Sequence, residues 1–229
     1  MKANRIIMIL ILVMSVFLLN TAPVSAKATP TILPPNSRVQ GHTYAEWSAI
    51  TWQTMLTIPA SENPGLGVPI SDCFVKRIGN VGLFPILFAP YGPFKCNMPT
   101  GMMLFMNIAS AECSTLEQPP YYGGNKEELR ACALNYVYTN LKVTIDGSAI
   151  KNLSKYLVLS PLYQFTVPAD NFFGVSGGTV GKSVAYGTYF MLAPLDPGQH
   201  TVSIHADLPY LSFSFDQIYN ITVTNERWH

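Results

Sequence analysis

The chain has 229 residues and a nearly neutral composition, with 14 Lys and Arg against 13 Asp and Glu. Only one adjacent basic pair, Lys76-Arg77, follows the N-terminal segment, whereas a nucleic-acid binder normally carries a basic patch and a polybasic membrane site a cluster. Both classes are therefore excluded. Twelve Phe and twelve Tyr, together with 16 Gly and 18 Pro, indicate a loop-rich folded protein rather than a disordered chain.

The N-terminus has the pattern of a secretory signal peptide, predicted over residues 1–26. A charged start runs into an apolar segment, Ile6 to Leu19, and Val24-Ser25-Ala26 supplies the small residues that signal peptidase requires. Because that segment is short for a bilayer and no stop-transfer segment follows, we expect cleavage near Ala26 and no stable membrane span afterwards. The mature protein is expected in the periplasm or the medium.

The next elements in chain order are an extended segment, residues 27–42, and an amphipathic helix. Thr43 and Glu46 form a capping box, and Pro59 ends the helix. Its apolar face is expected to contain Tyr44, Trp47, Thr51, Met55 and Ile58. Asn125 and Glu128 cap a second predicted helix, whose apolar face would comprise Leu129, Cys132, Ala133, Tyr136 and Val137.

Four cysteines follow the predicted cleavage site, at Cys73, Cys96, Cys113 and Cys132. An even number in an oxidising compartment predicts two disulfides, for which three connectivities are possible. We favour Cys73 with Cys96 and Cys113 with Cys132, because each pair flanks a local segment that a disulfide would close. The cysteines are too far apart in sequence for the short ligand spacing of a zinc site.

The strand signals dominate the second half of the chain. Apolar residues alternate from Leu141 to Ile145 and lead into Asp146-Gly147, a strong hairpin signal. Further strands are predicted at 81–88, 102–108, 155–159, 164–167, 183–192, 200–206 and 211–224, the last with a break near Asp216. This pattern predicts a mainly β fold, an antiparallel β-sandwich of Ig-like or jelly-roll type with two short helices, as a single domain over residues 43–229.

Aromatic residues in loops are the clearest candidates for a binding site. Tyr121-Tyr122 and Phe172-Phe173 lie in segments rich in Gly, Pro and Asn, where strand periodicity does not explain an apolar ring. Ring faces stack on sugars and on apolar ligands, and Trp47 and Trp52 of the first helix join the candidate set. The alternative interpretation is that these rings pack beneath their own loops.

Patterns for catalysis, metals and cofactors are weak. The segment 176–183 resembles a phosphate-binding loop, but Ser176 stands where the motif needs Gly. His200 and His205 are five residues apart, so in a strand they face opposite sides and cannot share a metal. His200 is instead expected to be a hydrogen-bonded structural residue. We predict no metal site, no cofactor and no catalytic residue.

Paired carboxylates could in principle come from distant parts of the chain, as in glycosidases, which place two acids roughly 5 to 9.5 Å apart. The candidates are Glu46, Asp72, Glu112, Asp170 and Asp207. Most are better explained as caps, turns or solvated positions.

Several short motifs, in this order, resemble a family of secreted bacterial proteins with no assigned activity. They cover most of the mature chain and comprise Tyr44-Ala-Glu46-Trp47 with Trp52, Asn63-Pro64, Asp72-Cys73, Cys96-x-x-Pro99-x-Gly101, Val143-x-Ile145-Asp146-Gly147 and Leu192-Ala-Pro194-Leu195-x-Pro197-Gly198-x-His200-Thr201. The family usually carries adjacent tryptophans where this chain has Thr51-Trp52, and often Arg where Lys95 stands. The resemblance implies export and the fold, and supplies no catalytic residue.

The sequence leads to three functional hypotheses. The first is an exported, non-enzymatic binding or accessory protein whose partner is a small molecule, a glycan or a protein. The second is a secreted carbohydrate-active hydrolase or lyase. The third is an envelope or assembly component, which predicts an exposed apolar patch or an unpaired strand edge.

Overall fold

The computed structural model describes residues 30–85 and 93–225, and every structural observation below concerns these residues. The predicted signal peptide, residues 1–26, lies outside them, as do residues 86–88 of the predicted strand 81–88. No helix in the described ranges is long and apolar enough to cross a membrane.

Strands outnumber helices throughout the described chain. The helices are α1 (Tyr44–Leu56) and α2 (Lys126–Leu134). The strands, in chain order, are β1 (Lys76–Ile78), β2 (Val81–Leu83), β3 (Phe94–Pro99), β4 (Met103–Ser114), β5 (Thr139–Ile145), β6 (Ser148–Ala149), β7 (Leu157–Leu159), β8 (Tyr163–Thr166), β9 (Val180–Leu192), β10 (Gly198–Leu208) and β11 (Phe213–Thr224). The predicted mainly β sandwich with two short helices is confirmed.

The strands form two sheets in the described part of the chain. The first has the order β1-β2-β4-β9, and the far side of β9 pairs with both β7 and β8. The second has the order β3-β11-β10-β5-β6. Most neighbours are antiparallel, as predicted, while β2 pairs with β4 and β3 pairs with β11 in parallel, so both sheets are mixed.

Apolar clusters occupy both faces of the first sheet. Its inner face packs on the second sheet through Leu104, Met106 and Phe190 against residues such as Ile204 and Tyr219. Its outer face is covered by α1. A third cluster places Leu129 and Ala133 of α2 beside one end of β4 and β9. The fold therefore consists of α1, the first sheet and the second sheet as successive layers, with α2 at one end.

The caps of both helices agree with the sequence patterns. The Thr43 side chain accepts from Glu46 N at 3.3 Å, and Thr43 N donates to the Glu46 carboxylate at 2.7 Å. Asn125 Oδ1 accepts from Glu128 N at 3.0 Å. The second helix ends at Leu134, however, so Val137 does not belong to its apolar face and is 52% exposed.

The turn at Asp146-Gly147 is the predicted hairpin between β5 and β6. Both residues have positive φ, 50° and 77°, as a type I′ turn requires. The predicted break near Asp216 is wrong, because β11 pairs with β10 without interruption and Asp216 lies opposite His205, with Oδ1 2.9 Å from its Nδ1. Two predicted strand starts are 3-10 turns instead, at Leu153–Tyr156 and Pro209–Leu211.

Both favoured disulfides are present. Cys73 bonds to Cys96, and Cys113 bonds to Cys132. The first joins the segment before β1 to β3. The second joins β4 to α2, so it fixes the helix against the sheet edge where the candidate site lies.

Candidate ligand-binding cleft

An apolar cleft of about 570 Å³ lies along β4, between the C-terminal half of α1 and the end of the β10–β11 hairpin. Its walls are mostly aromatic and aliphatic side chains, and its described lining includes no Lys, Arg or His. The rings in the lining are Trp52, Tyr121, Tyr136, Tyr138, Phe172, Phe213, Phe215 and Tyr219. A volume of this size suits a small organic molecule.

A β-bulge in β4 positions the polar residues of the cleft. The pairing of β4 with β9 shifts register between Asn107 and Ala109, so one extra residue is taken up there. Beyond it, Ser110 and Glu112 pair with Gly187 and Ala185 on the same face as Asn107. This is the face covered by α1, and Trp52 Nε1 donates to Ser110 Oγ at 3.1 Å.

Two carboxyl groups, Glu112 and Glu117, both line the cleft and interact electrostatically with each other. Glu112 is only 4% exposed, and burial raises its pKa well above the usual range, with the neighbouring Glu117 charge adding to the effect. Burial also raises the pKa of Glu117 to about 7. Burial and mutual repulsion therefore favour the retention of a proton by the pair.

Hydroxyl groups hold this carboxyl pair in place. The Ser183 hydroxyl donates to Glu112, and the Tyr163 hydroxyl donates to Ser183 at 2.9 Å. Glu117 accepts from the Ser114 backbone N–H at 3.1 Å and from its hydroxyl at 3.2 Å. Both acids are thus fixed by neutral donors, and no basic side chain in the described cleft neutralises them.

One further polar atom in the lining has no partner. Asn107 is 8% exposed, and its Oδ1 is buried without a hydrogen bond among the described residues. A buried amide oxygen normally has a partner, because an unsatisfied acceptor costs about 1 to 3 kcal/mol. Because Asn107 belongs to the cleft lining, this oxygen is a candidate acceptor for a donor on a bound molecule.

Tyrosine rings form the wall next to α2. Tyr121 stacks on Tyr136 at 4.9 Å between ring centroids, and the Tyr136 hydroxyl donates to Pro120 O at 3.1 Å. The Tyr138 hydroxyl donates to Ser110 O at 3.0 Å, which connects this wall to β4. Burial raises the pKa of Tyr138, so its hydroxyl stays a neutral donor.

Three of the six aromatic residues proposed from the sequence line the cleft together. These are Trp52, Tyr121 and Phe172, which come from α1 and from two separate loops. The other three are placed elsewhere. Trp47 is fully buried and donates to Val39 O, Phe173 packs in the α1 cluster, and Tyr122 is 48% exposed outside the lining.

Three of the other candidate carboxylates have structural partners. Glu46 caps α1, Asp170 accepts from Ser61 N at 2.9 Å, and Asp207 accepts from the Ser214 hydroxyl at 2.7 Å. Glu112 is the exception, since the interpretation as a cap, turn or solvated residue is wrong for this buried position. Glu117 was not among the candidates, although Ser114-x-x-Glu117 has the S-x-x-E spacing of a capping box and its carboxylate accepts from Ser114 N.

The histidines and the glycine-rich segment have no ligand geometry in the described ranges. Buried His200 lies 2.7 Å from Asp146 through Nδ1 and 2.8 Å from Asp196 O through Nε2, which confirms its structural role. The segment after Gly178 enters β9 rather than a helix. No group of three or more His, Cys, Asp or Glu residues there is arranged to hold a metal.

No protein-family model matches the chain, and no curated protein matches it. Among solved structures, similarity is found to a chain described as "Structure of PbICP-C in complex with falcipain-2". That match covers 68% of this chain and 100% of the other, at 10% identity and a TM-score of 0.24. A score this low supports no conclusion about fold or function.

Proposed function

We propose that this protein is an exported, non-enzymatic binding protein that holds a small, largely apolar molecule in the cleft along β4. The observation that carries the proposal is the cleft itself, about 570 Å³ with mostly aromatic walls and a few buried polar groups. Such a combination is typical of small-molecule sites, in which apolar walls contribute affinity and a few polar atoms fix orientation.

Export belongs to the same proposal. The predicted signal peptide and cleavage near Ala26 support it, and the two disulfides fit an oxidising compartment such as the periplasm or the medium. The resemblance to a family of secreted bacterial proteins points in the same direction.

The test is a titration with octanol as an apolar probe, in which calorimetry measures the binding. We expect Tyr121→Ala and Phe172→Ala each to weaken octanol binding by about tenfold, because each removes a ring from the cleft wall. Tyr122→Ala is the matched control, since Tyr122 neighbours Tyr121 in the same loop and is not part of the lining. Affinity that is unaffected by both substitutions in the wall would remove the proposed site.

The carbohydrate-active alternative requires two acids on opposite sides of a scissile bond, roughly 5 to 9.5 Å apart. Glu112 and Glu117 are the acids of the described lining, and their coupling raises the pKa of Glu112 as expected for neighbouring acids on one wall rather than for acids on opposite sides of a bond. The binding hypothesis therefore fits this pair better.

The envelope or assembly alternative has one observation in its favour. Tyr210, Leu211 and Phe213 are each at least 38% exposed at the turn between β10 and β11. Leu211 and Phe213 also line the cleft, so the same apolar surface is explained by the rim of a ligand site.

A further inference from the structure

We propose that the ligand of this cleft is an organic ammonium ion: an apolar body with a protonated amine that pairs with the Glu112–Glu117 carboxyl pair. The inference deepens the proposed function and rests on it. It draws on two independent features of the lining, the paired acids and the unpartnered Asn107 amide oxygen.

The carboxyl pair determines the charge that the cleft can accept. Glu112 and Glu117 sit among neutral hydroxyl donors from Ser114 and Ser183, and no Lys, Arg or His is present in the described lining. Any ionised carboxylate there lacks a protein cation nearby. An ammonium group would supply the missing charge and donate to the carboxylate oxygens, whereas an anionic head group would be repelled.

The aromatic walls favour the same ligand class. Tyr136, Tyr138 and other rings line the cleft, and ring faces attract organic cations as well as apolar chains. A small, strongly hydrated inorganic cation would make poor use of these walls. The apolar lining therefore selects a cation attached to a hydrocarbon or an aromatic body.

Asn107 adds a second contact at a defined distance from the acids. It lies on the same face of β4 as Glu112, and its buried Oδ1 has no partner in the described structure. Asn107 and Glu112 are five positions apart in sequence, and the bulge takes up one of these positions. At a strand rise of about 3.3 Å per residue, the two residues are therefore roughly 13 Å apart. A neutral donor, such as a hydroxyl at the far end of the ligand, would satisfy this oxygen.

The head group is tested with three probes that share one tail: octylamine, octanol and octanoate, titrated by calorimetry at neutral pH below the concentrations at which they form micelles. We expect octylamine to bind about tenfold more tightly than octanol, and octanoate to bind least, because the charge is recognised at the carboxyl pair. Glu117→Gln should abolish the preference for octylamine over octanol. The circular dichroism spectrum of this variant shows whether it is folded.

Glu127→Gln is the matched control, because it removes the same charge from an exposed position in the first turn of α2, outside the lining. It should leave the preference for octylamine intact. Equal binding of octylamine and octanol, or tightest binding of octanoate, would overturn the ammonium assignment and leave the proposed cleft standing. Failure of all three probes to bind would remove both.

The Asn107 contact is tested by comparing octylamine with an eight-carbon amino alcohol. We expect the added hydroxyl to tighten binding by about fivefold, since it donates to an oxygen that otherwise stays unsatisfied. Asn107→Leu should remove this gain, and the circular dichroism spectrum of the variant shows whether it is folded. A gain that persists in the Leu variant would contradict the assignment of a donor to Asn107.

Discussion

At the scale of single residues, the position of Glu112 shows where sequence reasoning stops. The predicted strand ends at Ile108, because polar residues at Ser110 and Glu112 follow the continuous apolar stretch, and the bulge lies at the same place. Beyond it, Ala109, Ala111 and Cys113 alternate with polar residues over A-S-A-E-C-S, a period of two that continues the strand. That alternation could have identified Glu112 as a strand residue on the polar side. The S-x-x-E spacing could have indicated that Glu117 folds back on Ser114, but not that it interacts with Glu112.

The buried acids determine how stability depends on pH. A raised pKa means that the folded state binds the proton more tightly than the unfolded state, so the free energy of unfolding falls as pH rises. For Glu117 the loss runs from about pH 4.5 to about 7. Its slope is on the order of 1 kcal/mol per pH unit. Glu112 adds to the loss and extends it to higher pH, because its pKa is raised well above the usual range.

Urea denaturation at several pH values measures this dependence. The double variant Glu112→Gln, Glu117→Gln should flatten the profile above pH 4.5, whereas Glu127→Gln should keep the slope of the unaltered protein. If the free energy of unfolding of the unaltered protein stays constant or rises between about pH 4.5 and 7, the pair is not buried as described.

At the scale of secondary-structure elements, local sequence signals predicted the helix starts and the hairpin turn, but not which strands pair in parallel. Capping residues predict the starts of α1 and α2, and the Asp-Gly turn predicts the β5–β6 hairpin, because each depends on neighbours within a few residues. The parallel pairs β2–β4 and β3–β11 join strands across intervening segments. Strand alternation does not reveal which neighbour a strand takes or in which direction.

The disulfides offer a test at the same scale. Each closes a loop of about twenty residues, so removal of either should lower stability by roughly 3 kcal/mol in the chain-entropy model. Only Cys113–Cys132 ties β4 to α2, whose C-terminal end leads into Tyr136 and Tyr138 of the cleft. We expect the double variant Cys113→Ala, Cys132→Ala to weaken octanol binding as well as stability.

The matched control is Cys73→Ala, Cys96→Ala, which removes the disulfide between the segment before β1 and β3. This variant should lose stability and keep its octanol affinity, measured well below its unfolding temperature. Equal affinity losses in both double variants would contradict a specific role for the α2 tether.

At the scale of the whole molecule, the layers explain why the cleft lies along β4. This strand is central to the fold, with α1 on one face, the second sheet on the other and α2 at its end. Pairing with β2 extends only from Met103 to Phe105. The remainder of that edge up to Ser114 is where residues from α1, both sheets and several loops converge. The strand pattern predicted the sandwich, but this convergence depends on the complete topology.

The most direct test of the account is a map of backbone amide chemical shifts during titration with octanol. We predict that the largest changes fall on Asn107 to Glu112, on Tyr121 and on Tyr136 to Tyr138, while β1 and β6 remain unaffected. No change at saturating octanol, or changes centred away from β4, would contradict the claim that this cleft is the binding site.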